Sequence, residues 1–308
     1  NHKKVGIDTG SVKVYQNNGN EWVQLGTEIK GDQLWDQAGI SLSLSGDGKT
    51  LAVGNPYSLN SSLNGNKPAV SVYSLVNNEW SQIANINSDV FDNFGYTTSL
   101  SSDGKLLAIG GFYGELGSAT DNAGYVKIFE NVNGNFTQVG DALKGDNTNG
   151  DEFGFSVDLS SDGSIAAVSS AQGGDVFVYQ RNGNNWSQLG DTIAFFDYSS
   201  DIKGSNVRKQ EAVVQTKISE DGNYLVIGSP NADVGGTNNG LIKVYKNVSQ
   251  NWVQVGSDIV GQNLSHLGNF VDIEEDNNGF LTLAASGTIG STGSYVNAYK
   301  LINSEWIS

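Results

Sequence analysis

Few side chains in this sequence have the types and spacing that catalysis requires. The 308 residues include no cysteine and two histidines, His2 and His266. Without cysteine, neither a thiolate metal site nor a cysteine nucleophile can form. We expect His2 to lie in the terminal segment and His266 in a loop, which favours a solvated imidazole over a general base at either position.

The run Glu274-Glu275-Asp276 is the nearest approach to a carboxylate pair for glycosidic cleavage. Such a pair must flank the scissile bond at a defined separation. Neighbouring strand residues point to opposite faces of a sheet, and the other repeats of the chain carry a turn at this position. We therefore interpret the run as a solvated turn, and a polysaccharide-active enzyme is the least favoured function.

Loop carboxylates and amides could bind calcium, which takes about six to eight oxygen ligands. The candidates are Asn231 and Asp233 in one loop and Asp121 in the corresponding earlier loop. Asn and Asp are also ordinary loop residues without a metal. No cofactor is predicted, and calcium is left open.

The net charge restricts the partners of the protein. The sequence has 17 Lys and Arg against 33 Asp and Glu, a formal net charge of −16. This disfavours nucleic-acid phosphates and anionic membrane surfaces. No apolar run approaches the roughly 18 residues of a membrane helix. We predict no nucleic-acid partner and no direct membrane insertion. Because Met is absent even at residue 1, we expect the chain to be part of a larger polypeptide.

A repeated unit must position all of these side chains. An Asp-Gly turn between two apolar runs predicts a hairpin, and the continuous apolar strand that follows predicts burial on both faces. The turn recurs at Ser45-Gly46-Asp47-Gly48, Ser101-Ser102-Asp103-Gly104, Ser160-Ser161-Asp162-Gly163, Ser219-Glu220-Asp221-Gly222 and, in degenerate form, Glu274-Glu275-Asp276-Asn277-Asn278-Gly279.

An aromatic residue on an outer strand closes each unit, and its recurrence at one position predicts a packing role. The separations vary between 50 and 66 residues, as loops of different length on fixed blades would produce. The six residues are Trp22, Trp80, Phe136, Trp186, Trp252 and Trp306.

These features predict an all-β fold, a β-propeller of four-stranded antiparallel blades. Six outer hairpins and five inner ones favour six blades with an incomplete first blade, to which Lys4 to Asp8 could add a strand. The count becomes seven if the chain is truncated. We predict one domain over 1–308, with an outer hairpin at 1–30 and repeats at about 38–84, 94–140, 153–190, 212–256 and 267–308.

The repeat resembles the FG-GAP-like propeller family, which includes the head of integrin alpha subunits, and is most similar to its bacterial surface-protein version. The resemblance rests on Phe94-Gly95 with Leu107-Ala108-Ile109-Gly110, and on Ile227-Gly228-Ser229-Pro230 with Gly240-Leu241-Ile242-Lys243-Val244-Tyr245. It implies a secreted or cell-surface location, as in adhesins. Many blades of this family bind calcium through several carboxylates in the first turn. The turns here carry one each, which argues against that site.

Four-stranded blades place short turns on one face of the disc and long loops on the other. Loops on a rigid scaffold often carry binding residues, and exposed aromatic rings anchor ligands. The alternative is that these rings fold back and cover the disc. The predicted ligand contacts are Trp35, Tyr57, Phe112, Tyr113, Phe195, Phe196 and Tyr198.

The function favoured by the sequence is a non-enzymatic, extracellular or cell-surface recognition or adhesion module. It would bind a glycan or protein partner on the long-loop face. The alternative is a ligand-free structural spacer of a large surface protein or filament.

Overall fold

The computed structural model describes residues 9–31, 36–56, 68–87, 93–113, 123–145, 152–172, 174–195, 214–276, 278–289 and 293–308. The regular elements of these residues are β-strands arranged in antiparallel sheets. In this part of the chain no helix is long and apolar enough to cross a membrane. The predicted all-β propeller of four-stranded blades is confirmed.

The strands are grouped here by blade, in chain order. Blade 1 comprises β1 (Ser11–Val12), β2 (Tyr15–Asn17), β3 (Trp22–Gln24) and β4 (Ile29–Lys30). Blade 2 comprises β5 (Leu42–Leu44), β6 (Thr50–Gly54), β7 (Pro68–Val76) and β8 (Glu79–Asn87). Blade 3 comprises β9 (Thr97–Leu100), β10 (Leu106–Gly111), β11 (Tyr125–Val132), β12 (Asn135–Gln138) and β13 (Leu143–Lys144).

The remaining three blades repeat this order. Blade 4 comprises β14 (Phe153–Leu159), β15 (Ile165–Ser170), β16 (Asp175–Asn182), β17 (Asn185–Gln188) and β18 (Ile193–Ala194). Blade 5 comprises β19 (Gln215–Ile218), β20 (Tyr224–Ser229), β21 (Leu241–Val248), β22 (Asn251–Gln254) and β23 (Ile259–Val260). Blade 6 comprises β24 (Val271–Glu275), β25 (Leu281–Ile289), β26 (Gly293–Ile302) and β27 (Glu305–Ile307).

Blade 1 is represented in the described residues by its outer half. β2 pairs with β3 and β1 pairs with β4, as the third and fourth strands of the other blades do. The outer hairpin predicted for an incomplete first blade is therefore present. The segment Lys4 to Asp8, predicted to add a strand, lies outside the described residues.

The second strand of blades 2 to 5 is apolar because it is buried on both faces, whereas β25 of blade 6 alternates between buried and more exposed residues. All six residues of β10 are buried, and alternate side chains enter two different core clusters. Small residues allow the sheets to approach closely. A Cβ added to Gly110 would lie 2.2 Å from the carbonyl oxygen of Gly154 in the next blade.

The turn that precedes this strand is held by its serine and aspartate. The hydroxyl of Ser101 donates to Asp103 Oδ1 at 2.8 Å and accepts from the Leu106 backbone N–H at 2.9 Å. Asp103 Oδ1 also accepts from the Lys105 N–H at 3.0 Å. Ser45, Ser160 and Ser219 make the same bonds in blades 2, 4 and 5.

Three tryptophans of the outer strands join neighbouring blades through an indole hydrogen bond, in agreement with their predicted packing role. The Trp80 indole N–H donates to the Leu25 carbonyl at 3.0 Å, and Trp252 donates to the Leu189 carbonyl at 3.1 Å. Trp306 makes the same bond to Val255 at 3.2 Å. For Trp22 the packing prediction is wrong, because its side chain is 68% exposed.

Candidate active site

The aromatic residues predicted to bind a ligand are mostly part of the core where the structure describes them. Phe195 is completely buried in the cluster between blades 4 and 5, directly after β18. Phe112 is buried against Tyr96 and Phe155. The ligand-contact prediction is wrong for these two residues, because their side chains are buried in the core.

Among the described aromatic candidates, Tyr113 is exposed, and its ring rests on Phe112 at a centroid distance of 4.4 Å. Trp35, Tyr57, Phe196 and Tyr198 lie outside the described residues.

The described candidate calcium ligands already contact protein groups, Asp233 within its own loop and Asn231 in the segment between blades 5 and 6. Asp233 accepts from the Asn238 backbone N–H at 2.6 Å, and Asn231 Oδ1 lies 3.3 Å from His266 Nδ1. Asp121 lies outside the described residues. Within the described ranges, no group of three or more His, Cys, Asp or Glu side chains could hold a metal ion.

The central axis, in contrast, is surrounded by one equivalent residue from each innermost strand. These residues are Ser43, Ser99, Asp158, Lys217 and Asp272 in blades 2 to 6. The first three accept the N–H of the next blade: Leu100 to Ser43 at 2.8 Å, Leu159 to Ser99 at 3.0 Å and Ile218 to Asp158 at 2.9 Å.

Lys217 interrupts this pattern because an ammonium group has no acceptor. Its Nζ instead donates back to Asp158 Oδ1 at 2.9 Å, and the Ile273 N–H bonds to the carboxylate of its own neighbour, Asp272, at 3.1 Å. The Asp158 carboxylate is buried and also accepts from the Ser99 hydroxyl at 3.1 Å.

Burial and charge oppose each other in this ion pair. Burial raises the pKa of the Asp158 carboxyl, although Lys217 and two further donors favour its ionised form. Burial lowers the pKa of the Lys217 ammonium, but attraction to Asp158, Asp272 and Glu220 outweighs it and leaves that pKa above its ordinary value. Lys217 is therefore a cation at neutral pH, and we take the pair to be ionised because Asp158 has three donors.

Of the axial residues, Lys217 and Asp272 border a cavity of about 260 Å³. Lys217 and Glu220 contribute from blade 5, and Asp272 and Glu274 contribute from blade 6. Asp272 and Glu274 are two residues apart on β24, so they point to the same face of the strand. Other wall residues, Gly46, Ser102 and Ser161, belong to the Asp-Gly turns, which places the cavity at the short-turn face rather than the predicted long-loop face.

The interpretation of Glu274-Glu275-Asp276 as a solvated turn is wrong for its first two residues. Glu274 and Glu275 belong to β24, and the turn begins at Asp276, which caps it by accepting the N–H groups of Asn278 and Phe280. The other blades carry a turn serine where blade 6 carries Glu274.

The sequence contained a signal for the axial residues that a search for motifs misses. Aligning the repeats on their turns puts serine at the axial position of blades 2 and 3, but Asp158, Lys217 and Asp272 in blades 4 to 6. The charged site is therefore indicated by the positions at which a blade differs from the repeat, rather than by the residues that all blades share.

The arrangement combines one cation, Lys217, with the carboxylates of Glu220, Asp272 and Glu274 at one cavity. Carboxylates can activate water as general bases, and a fixed ammonium can stabilise a developing oxyanion. Because carboxylates outnumber ammonium groups at the cavity wall, the cavity attracts cations, admits neutral molecules and disfavours anions.

Comparison with known structures agrees with this architecture. A functionally unknown protein from Desulfotomaculum acetoxidans matches with 12% identity and a TM-score of 0.61, over 98% of this chain and 79% of that one. A putative 6-phosphogluconolactonase from Bacteroides fragilis matches with 14% identity and a TM-score of 0.55, over 95% and 78% of the two chains. The fold is a β-propeller.

Hydrazine synthase from Kuenenia stuttgartiensis is also similar, with 14% identity and a TM-score of 0.50 over 86% of this chain. This propeller spans 63% of that chain, which is less than two thirds of it. No protein-family model and no curated protein matches the sequence. At these identities the likeness establishes the fold alone.

The functional prediction from the sequence, a non-enzymatic recognition or adhesion module, is corrected by these comparisons. The propellers that resemble this chain include a putative 6-phosphogluconolactonase, so the fold does not favour a non-enzymatic module. The prediction rested on the repeat, the acidic charge and the loop aromatics, and an enzyme was ranked last because no cluster of catalytic groups was found along the sequence. Folding assembles such a cluster from three separate strands, β14, β19 and β24.

Proposed function

We propose that the axial cavity is the active site of a hydrolase that opens small, uncharged lactones. The observation that carries the proposal is the Lys217 ammonium, held by Asp158 at 2.9 Å beside the Asp272 and Glu274 carboxylates in one cavity. The name of the similar Bacteroides fragilis protein supplies the substrate class, cyclic esters of sugar acids.

The proposed reaction adds water across the ester bond of the ring. Glu274 or Asp272 removes a proton from water as the oxygen attacks the lactone carbonyl, and Lys217 stabilises the oxyanion of the tetrahedral intermediate. The intermediate collapses, the bond between the carbonyl carbon and the ring oxygen breaks, and the proton passes to the released alkoxide. The product is the open-chain hydroxy acid, whose negative charge favours release from an acidic cavity.

The charge of the cavity also selects among lactones. Lys217 is already neutralised by Asp158, while Glu220, Asp272 and Glu274 remain without an equal number of cations at the cavity wall. A phosphorylated lactone would bring a further negative charge into this field. We therefore expect glucono-δ-lactone to be a better substrate than its 6-phosphate.

A lactone panel followed by pH-stat titration, with spontaneous hydrolysis subtracted, tests the proposal. Lys217→Met should lower kcat/KM by about 100-fold, the usual cost of losing an oxyanion donor, and Glu274→Gln should lower kcat. Glu305→Gln, on the outer strand β27, is the matched control and should leave the rate unchanged. Hydrolysis no faster than in buffer, or equal rates in the three variants, would overturn the proposal.

The family and the location of the protein are also proposed from the sequence. Membership of the FG-GAP-like family and an extracellular location are still expectations from the sequence resemblance. The resemblance places such propellers within larger surface proteins, where a sugar-acid lactone would be an external nutrient or a breakdown product.

A further inference from the structure

A second cavity, which we call the interblade cavity, lies between blade 5 and blade 6. Its volume is about 450 Å³, within the range of roughly 300–1,000 Å³ that is typical of small-molecule sites. One wall comes from the segment Val260 to Leu267, which joins the two blades, and the other comes from β26 and Thr288. In the described chain the interblade cavity shares no lining residue with the axial cavity, so the two are separate.

A phenylalanine ring fills the equivalent space at the three interfaces between blades 2 and 5. Phe94 lies between blades 2 and 3, Phe153 between blades 3 and 4, and Phe195 between blades 4 and 5, and each is at most 1% exposed. Each ring packs against the same position on the third strand of the following blade. The residues at that position are Lys127, Phe177 and Lys243.

Between blades 5 and 6 the equivalent positions carry smaller residues. Leu267 takes the place of Phe153, because each forms a parallel bridge with the glycine that precedes a third strand. Gly261 follows β23 as Phe195 follows β18, and Asn297 takes the third-strand position. The space that a phenyl ring occupies at the earlier interfaces is therefore left as a cavity at this one.

The wall on β26 adds a hydrogen-bond acceptor at the position that contacts the ring in the other blades. Asn297 and Tyr299 are two residues apart on β26, so both point to the same face of the strand. The Asn297 amide nitrogen donates to the Tyr299 hydroxyl at 3.2 Å. Among the described residues no donor bonds to the amide oxygen of Asn297, which is therefore available to a ligand.

The rest of the lining restricts the charge of a ligand. Val260, Leu264 and Leu267 make part of the surface apolar, and none of the described lining residues is charged. A charged ligand would lose its hydration here without gaining an opposite charge, which is costly. The interblade cavity therefore favours an uncharged molecule with one apolar ring and one polar group.

We propose that the interblade cavity binds a small uncharged phenol. The aromatic ring takes the place that the Phe153 ring has between blades 3 and 4, beside Leu267 and the face of β26. Its hydroxyl donates to the amide oxygen of Asn297. This is a binding site additional to the proposed active site, and it does not depend on lactone hydrolysis.

p-Cresol and toluene are suitable probes, because they differ only by the hydroxyl group that Asn297 would accept. Titration of the full chain with each, followed by NMR, gives the two dissociation constants. Asn297→Leu keeps a side chain of similar size and should weaken p-cresol binding about tenfold relative to toluene binding, the effect of one hydrogen bond. Asn251→Leu, on the outer strand β22, is the control and should leave the ratio unchanged. Because the ratio compares two ligands in one protein, misfolding of the variant cannot imitate this result.

A second variant fills the space itself. Leu267→Phe introduces the residue that blades 3 and 4 carry, so it should abolish binding of both probes and raise the Tm. Leu42→Phe, the same change at a side chain that is 50% exposed in blade 2, should not alter binding. Absence of p-cresol binding to the wild type, unchanged binding in Leu267→Phe, or an unchanged ratio in Asn297→Leu would each refute the assignment. Lys217→Met should bind p-cresol as the wild type does, so failure of this proposal and failure of the proposed lactonase activity are distinguishable.

Discussion

At the scale of single residues, the turn serines stabilise the fold, although they lie in turns with exposed neighbours. Ser101 is completely buried and joins the Asp103 carboxylate to the backbone N–H of Leu106. A buried N–H that loses its acceptor costs more than the net energy of one hydrogen bond, because it is not rehydrated.

Ser101→Ala is therefore expected to lower the free energy of unfolding by about 1–3 kcal/mol. The neighbouring exposed serine of the same turn, Ser102, provides the control, and Ser102→Ala should change stability by less than about 0.5 kcal/mol. Urea denaturation followed by tryptophan fluorescence measures both. Equal effects of the two variants would show that the hydroxyl of Ser101 has no special role in the turn.

The individual residues of the site were the hardest part to predict. The turn motif Ser-x-Asp-Gly predicted hairpins correctly because its bonds are local in sequence. Asp158, Lys217 and Asp272 meet only through inter-blade contacts about 60 residues apart, so no local spacing reveals them. For Phe195 the sequence predicted a ligand contact that the structure does not have. An apolar residue in a loop can contact either a ligand or the core of its own fold, and the sequence does not distinguish the two.

At the scale of elements, the outer strands are joined by tryptophans that reach the preceding blade. Trp80 packs on Leu51 and Val53 and donates to the Leu25 carbonyl, so it connects blades 1 and 2. Trp22 occupies the same repeat position in blade 1, but it is exposed. Comparing Trp80 with Trp22 therefore distinguishes the contribution of the contact between blades from the effect of changing a tryptophan as such.

Trp80→Phe keeps most of the apolar contact and removes the indole donor, so the Leu25 carbonyl loses its partner. We expect a loss of about 1–2 kcal/mol in the free energy of unfolding. Trp22→Phe should have almost no effect, because its ring is already in water. Thermal unfolding by circular dichroism distinguishes them, and similar shifts in Tm for both would argue against an inter-blade role for the indole.

The strands themselves were well predicted from the sequence. An Asp-Gly turn followed by an apolar run such as Leu106–Gly111 predicts a second strand that is buried on both faces, and this prediction needs almost no knowledge of tertiary contacts. The divided fourth strand was not predicted. In blades 3 to 5 it breaks into two short pairings, such as β12 and β13 on β11, because Gly140 adopts a positive φ of 72° between them.

At the scale of the whole molecule, the repeated turns make stability depend on acidic pH. For Asp47, the Ser45 hydroxyl is the main cause that lowers the pKa of the carboxyl. For Asp103, Asp162 and Asp221, partial burial opposes the shift, but hydrogen bonds outweigh it and the pKa is also lowered. A carboxyl with a lower pKa in the folded state stabilises the fold above its ordinary pKa of 3.8 and loses that effect as the pH falls through the folded value.

We therefore expect the free energy of unfolding to fall between about pH 4 and pH 2, with the four turns acting together. Burial raises the pKa of Glu152 and Asp158, and these two groups oppose the trend by binding protons more readily when folded. Asp103→Asn should make the pH dependence shallower, while Glu305→Gln serves as the control for an exposed carboxylate. Urea titrations at several pH values measure the slope, and an unchanged slope in Asp103→Asn would contradict the assignment.

The exposure of blade 6 also governs which part of the molecule opens first. Val296 on β26 is 72% exposed, whereas Val126 and Ile242 at the same place in blades 3 and 5 are completely buried. In an array of nearest-neighbour units, a unit that is covered on one face opens before units that are covered on both. Amide protons of β25 and β26 should therefore exchange with solvent sooner than those of β10 and β15.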